Sequence, residues 1–378
     1  MFFWKKDVSS LTKSLHHLLH EVAPALPEED AELGDVDVLA VDVSADVERL
    51  VVKLRNVVCG TPDAPIQTDE CAQVVDMLVR YHVLERLIHP DLLVQVSFDA
   101  QKAVGAMVKA MVHQHGAIVE PVVCQVSFLT RLCQGYTCPT TPVVLVCGGM
   151  LRDVLDTFPQ AIELFLSNMP SEFDSLITIA CTHAHFEVSS DALANISSLL
   201  THPTPALEAT SSNIFLPYQR LLTSSNFATQ RHALQILSKV LLDPRNSRIM
   251  MQYISDKAHL KVIMTLLREQ SDALRVDAFH VFKIFVANPS KTPDIEQMLR
   301  RNKEKLVKFV VDFGQEHANS SSPNLASEVR LLVFTLEKLA AVSEPSSASS
   351  SGGNPSTAAA VTPHEPPQQQ QPQVVIDA

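Results

Sequence analysis

In the segment Asn226–Asn246, NFATQRHALQILSKVLLDPRN, the residues Phe227, Arg231 and Gln235 recur at every fourth position. In a helix that spacing stacks them into one stripe, whereas Ala233, Leu237, Val240 and Leu241 fall on another side. The functional reading of such a stripe is recognition rather than reaction. The ring offers apolar area to a peptide, and the guanidinium pairs with a carboxylate. The same spacing also suits an ordinary solvated face, which periodicity alone favours because single exposed apolar residues are common.

Residues of catalytic or metal-binding type are present, but without the spacing such chemistry needs. Fifteen histidines include His16, His17 and His20, His113 with His115, and His183 with His185, yet no HExxH accompanies the His16/His20 pair. The seven cysteines, Cys59, Cys71, Cys124, Cys133, Cys138, Cys147 and Cys181, contain no CxxC pair, so reduced core thiols are expected rather than a zinc ribbon or disulfide framework. Gly148-Gly149 lacks the GK[ST] of a phosphate loop, and there is no DxDxDG calcium loop. No metal, no cofactor and no catalytic residue are expected. Sequence leaves open a Cys/His pair assembled only by the fold.

Charge and composition narrow the class further. The net charge of −12 argues against a general nucleic-acid binder. That sum hides an asymmetry: Glu21–Leu50 holds ten acidic residues and one basic, whereas Phe227–Phe313 holds fifteen basic and nine acidic. An acidic partner would therefore be drawn to the carboxy-terminal third. No apolar run reaches the length of a membrane span, and MFFWKKDVSS lacks the order of a secretory signal, so cytoplasmic location without membrane insertion is expected.

The elements that must carry these residues are helical. With 46% hydrophobic residues but only ten glycines and four tyrosines, the chain suits a large helical core better than a turn-rich sheet. In DALRVDAFHVFKIFVANPSKTPDI, from Asp272 to Ile295, Phe279, Val281, Phe282, Ile284, Phe285 and Val286 point nearly all round a helix, which neighbours must therefore cover on several sides. The predicted helix starts near Asp272 and stops before Asn288-Pro289.

A small residue followed by apolar residues at +4 and +8 recurs at Ala103, Cys147, Ala192, Ala233 and Ala278, with spacings of 44, 45, 41 and 45 residues. This is the period of armadillo or HEAT units, in which a small residue lets two helices cross closely. The expected fold is all-α, an armadillo/HEAT-like α-solenoid forming a right-handed superhelix. Its predicted organisation is an N-terminal helix and acidic variable segment over 1–49, the repeat domain over 50–340, and a disordered Ser/Pro/Gln-rich tail over 341–378.

The wording RHALQILSKVLLDPRNSRIMMQYISDKAHLKVIMTLLREQSDALRVDAFHVFKIFVANPSKTPDI resembles the calcium-binding protein 39 family, also called mouse protein 25. The phrases LLD, YIS, LKxxMxLLR and AFHVFKxFVANPxKT carry the likeness, with weaker similarity in FEVSSDALANISSLLTH, GGMLRDVL and CGTPDAPIQTDE. The acidic insert at Pro24–Glu48 and the tail after Ser343 depart from the pattern. The resemblance implies a non-catalytic armadillo-like scaffold without a calcium motif. It also implies binding to the pseudokinase STRAD and to sterile-twenty-type protein kinases, whose active conformation the family stabilises.

In that family a Trp-Glu-Phe tail enters a carboxy-terminal pocket. The matching phrases place the pocket here at Phe227, Arg231, Gln235, Met264 and Arg301, with Phe186 as the kinase-facing aromatic. Gln235 stands where the family commonly has lysine and Phe227 where it has tyrosine, which would shift the acidic contact toward Arg231. The implied state is a monomer within a hetero-complex. The competing readings are another α-solenoid adaptor, or a hydrolase with a hidden Cys/His pair.

The segment Ser343–Ala378 contains few residues able to build a core. Truncation after Val342 is expected to leave the thermal midpoint unchanged; a fall of many degrees would refute a dispensable tail.

Overall fold

The computed structural model describes residues 10, 12–17, 45–61, 66, 68–317 and 325–339. The acidic stretch up to residue 44, His20 and the tail from residue 340 onward, with the expectations placed on them, lie outside these. Every regular element among the described residues is helical. The first helix of the array begins at Ala45, ahead of the boundary expected at residue 50, because Val47, Val51, Leu54 and Val58 already form a buried stripe.

Seven of the described helices pack side by side in chain order and form a ladder. They are Ala45–Cys59, Phe98–Gln114, Thr141–Thr157, Phe186–Thr201, Phe227–Leu242, Asp272–Ala287 and Leu325–Glu337, each against the next. The intervening helices pack behind them: Pro170–Thr182 lies against Phe186–Thr201, Lys257–Leu266 against Asp272–Ala287, and Lys303–Glu316 against Leu325–Glu337. The architecture is that of an α-solenoid.

The small-residue pattern marks the middle five rungs. Ala103 is nearly buried, and Cys147, Ala192, Ala233 and Ala278 are completely so; the apolar residues four and eight positions beyond each are all buried. A side chain no larger than Ala or Cys at the crossing lets adjacent ladder helices approach, and the following two turns extend the contact. The first and last rungs escaped the pattern. In Leu325–Glu337, for instance, Ala326 is followed at +4 by Arg330 rather than an apolar residue.

Proline sets many of the helix starts. Pro90, Pro159, Pro170, Pro205 and Pro293 each open a helix, where the missing amide donor costs no hydrogen bond. The helix expected near Asp272 runs from Asp272 to Ala287 and is closed by Asn288, whose extended ψ of 119° suits a residue before proline.

That helix is enclosed on several sides. Phe279, Val281, Phe282, Phe285 and Val286 are fully buried, and Ile284 is half-buried. Phe279 stacks on Phe313 with centroids 4.3 Å apart, and Phe285 meets Tyr253 at 6.0 Å. Tyr253 in turn stacks on His259 at 4.0 Å and meets Phe215 edge-on at 5.0 Å. The aromatic contacts therefore tie four other helices to one rung.

Phe282→Ala is expected to destabilise the protein by about 3–5 kcal/mol, the range for emptying a large aromatic core position. Denaturant unfolding measures it, and an unchanged midpoint would mean the helix is not enclosed.

Candidate protein-interaction face

Four of the six junctions between successive ladder helices carry ion pairs among the described residues, with the cation on the earlier helix and the carboxylate on the next. Asp153 receives Lys109 at 3.7 Å and His113 at 3.3 Å. Arg152 meets Asp191 at 2.5 Å, Arg231 meets Asp277 at 3.3 Å, and Lys283 meets Glu328 at 2.8 Å. The more exposed of these pairs contribute little stability individually. Their geometric effect is greater, because each fixes the direction of a cation on the ladder face.

The Arg152–Asp191 pair belongs to a largely buried node. Arg152 Nη2 donates to Asp191 Oδ1 and Tyr136 Oη donates to Asp191 Oδ2. Asn195 Nδ2 reaches both the Tyr136 hydroxyl at 2.7 Å and the Gly148 carbonyl at 3.1 Å. Burial and then the Asp191 charge hold the Tyr136 phenol well above its ordinary pKa, so it remains a neutral donor. Burial opposes the charge on Arg152, but attraction and hydrogen bonding from Asp191 outweigh it and leave the pKa raised. Gly148 has no Cβ because one would collide with Asp191 Oδ2 and the Tyr136 hydroxyl. Of the Gly148-Gly149 pair, Gly148 is thus the helix-crossing device.

This node anchors Phe186–Thr201, whose first residue, Phe186, is 63% exposed. One rung on, Phe227 is also the first residue of its helix and is 47% exposed. The Asn226 side chain caps that helix by accepting from the amides of Ala228 and Thr229, which fixes where Phe227 emerges. Ala233, Leu237, Val240 and Leu241 are buried, while Arg231 is exposed and Gln235 half-buried, so the two stripes separate as expected.

The structure adds one partner to that stripe. Asp277, on the next rung, accepts from Arg231 Nε at 3.3 Å and from Gln235 Nε2 at 3.2 Å through the same oxygen, Oδ2. Met264 is half-buried on Lys257–Leu266, which packs on the helix carrying Asp277; Arg301 is exposed at the end of Pro293–Arg301, which packs on Lys257–Leu266. No hydrogen bond, ion pair or ring contact among the described residues joins Met264 or Arg301 to Phe227, Arg231 or Gln235. The stripe and Asp277 are brought together, whereas Met264 lies one helix beyond Asp277 and Arg301 two.

Two features of the ladder edge were missed in the sequence. Asp277 lies one repeat beyond Arg231, a spacing that could have exposed it. Phe98 is another first-turn aromatic, 51% exposed with Lys102 Nζ 4.0 Å above its ring, and it repeats the aromatic-plus-cation spacing of Phe227 and Arg231.

The histidine groups do not converge on one another. His113 pairs with Asp153, and His183 Nδ1 accepts from the His185 amide at 3.1 Å. His115 Nε2 lies 3.1 Å from Cys71 Sγ, the fold-assembled Cys/His pair left open above. Cys71 is fully buried, however, and burial followed by the nearby Cys59 raises its pKa, which disfavours a nucleophilic thiolate. Asp272, Glu316 and His317 form the metal-type cluster present among the described residues, but Arg275 donates to both carboxylates, at 2.9 and 3.0 Å. A guanidinium already occupies the position from which it would repel a cation.

Comparison with known proteins agrees with this scaffold-like arrangement. The Mo25-like family model matches residues 2–340. The chain belongs to the Mo25-like family. Calcium-binding protein 39-like of Homo sapiens is 31% identical over 327 residues, covering 84% of this chain and 94% of that relative. A Mo25-like protein of Schizosaccharomyces pombe is 31% identical over 313 residues, covering 78% and 89%. Among solved structures, a designed armadillo repeat protein in complex with the peptide (KR)4 covers 72% of this chain and 99% of its own, at 12% identity and TM-score 0.41. This Mo25-like chain has the family and the helical-repeat framework of a protein-interaction scaffold.

The node yields a paired expectation. Gly148→Ala should destabilise the fold by about 2 kcal/mol or more, through overpacking and displacement of a buried charge pair. Gly149→Ala, where nothing lies within 4 Å of a Cβ, should be neutral or stabilising by about 0.5–1 kcal/mol. Denaturant midpoints of the two variants test the assignment, and equal midpoints would contradict it.

Proposed function

We propose that this chain is a non-catalytic scaffold of the cytoplasm that binds and activates a protein kinase or pseudokinase, of the STRAD or sterile-twenty type. The partner's body meets the ladder around Phe186, and an aromatic-acidic-aromatic tail enters beside Phe227, Arg231 and Gln235, with Met264 and Arg301 on the adjoining helices. The supporting observation is the exposed Phe227 ring on the same ladder edge as an Arg231 guanidinium whose terminal nitrogens have no partner among the described residues. Such a site offers apolar area and one directed positive charge, the two things a Trp-Glu-Phe tail would use.

Activation requires no chemical step. A scaffold that binds the active kinase conformation more tightly than the inactive one shifts the equilibrium by that difference alone. The local excess of basic residues in Phe227–Phe313 favours encounter with an acidic tail.

Arg231→Ala should weaken binding of a Trp-Glu-Phe-ended peptide by about 2–5 kcal/mol, or about 30-fold or more, with the fold intact. Gln235→Lys should tighten it by supplying a second cation. Calorimetry against one synthetic peptide decides the matter. Equal affinities for wild type and Arg231→Ala, with unchanged circular dichroism, would reduce the stripe to a solvated face.

A further inference from the structure

The four cationic rungs of the ladder are not alike. Arg152 spends both terminal nitrogens on Asp191, Nη2 on Oδ1 and Nη1 on the backbone carbonyl, while Lys109 and Lys283 each have only one nitrogen, directed at Asp153 and Glu328. Arg231 alone among these is held through Nε, leaving Nη1 and Nη2 without a hydrogen bond among the described residues. Its side chain remains 45% exposed, whereas that of Asp277 is only 19% exposed and shares its Oδ2 with Gln235.

We infer that Asp277 is a positioning residue for ligand recognition, holding the Arg231 guanidinium by its Nε edge so that the terminal nitrogens face an incoming carboxylate. This rests on the proposed use of Arg231 and names the residue through which its specificity for an acidic side chain is set. Two effects compete. A neighbouring carboxylate repels the ligand's charge, but an unheld arginine must lose its rotamer freedom on binding. The geometry favours orientation: Asp277 bonds the Nε–H and leaves the Nη1/Nη2 end of the guanidinium without a hydrogen bond among the described residues, with a second donor, Gln235, on its bonding oxygen. Asparagine would retain an acceptor at that place without the charge, whereas alanine would remove both.

Peptides ending in Trp-Glu-Phe and Trp-Gln-Phe, titrated by calorimetry into the full chain, separate these effects. Asp277→Ala should weaken Trp-Glu-Phe binding about 3- to 10-fold, and Asp277→Asn should restore it to within about twofold of wild type or tighter. Neither change should alter Trp-Gln-Phe binding, and the loss should vanish when Arg231→Ala is already present. Undiminished or tighter Trp-Glu-Phe binding by Asp277→Ala would overturn the inference and make Asp277 a competitor. Should Arg231→Ala itself leave affinity unchanged, the proposed binding site has failed. Solvent exchange of the Arg231 Nε–H resonance would still decide positioning. Slow exchange in wild type and Asp277→Asn, with fast exchange in Asp277→Ala, supports it; equal exchange in all three overturns it.

Discussion

The close crossing of consecutive ladder helices over a side chain no larger than Ala or Cys is the constraint on which the rest depends. Ala103, Cys147, Ala192, Ala233 and Ala278 occupy these crossings. A larger side chain would hold neighbouring helices apart and leave unfilled volume beside the residues at +4 and +8. Close approach also brings the polar edges of adjacent rungs within ion-pair distance. Asp153, Asp191, Asp277 and Glu328 can receive cations from the preceding helix because the backbones below them are already fixed. The exposed stripe is a by-product of packing, since Phe227 and Arg231 emerge where the buried face of their helix turns away from the core.

Burial and exposure are divided along single helices. In Phe186–Thr201, Ala192 and Ile196 lie in the core, Asp191 and Asn195 hold the neighbouring rung, and Phe186 emerges at the start. In Phe227–Leu242 the same division separates Ala233 and Leu237 from Arg231. A rigid support of this kind presents a charge or ring with little reorganisation, which limits the entropy lost on binding. The catalytic alternatives lack comparable support: the buried Cys71 thiol beside His115 is held away from its ionised form, and Arg275 bridges the Asp272 and Glu316 carboxylates.

Much of the array was legible because its physical cause is periodic. A small residue recurring every 41–45 positions announces a helix crossing, and Asn288-Pro289 announces a helix end. The end rungs were not legible, since each is packed on one ladder neighbour instead of two and need not keep the small residue. The stripe of Phe227, Arg231 and Gln235 followed from helical spacing, and its family meaning came from resemblance. Asp277 was hidden because it reaches the stripe from another helix. The role of Gly148 was hidden for the same reason, as the atoms that exclude a Cβ belong to Asp191 and Tyr136, remote in sequence.

The central claim is that a kinase-like partner engages the ladder edge carrying Phe186 and Phe227. A photo-crosslinking residue placed singly at position 186, 227 or 216 tests it, because Leu216 is 73% exposed on Pro205–Leu222, a helix outside the ladder. With a purified sterile-twenty-type kinase domain joined to a Trp-Glu-Phe tail, the account predicts crosslinks from positions 186 and 227 and none from 216. Crosslinks from 216 alone, or equal yields from all three positions, would contradict it.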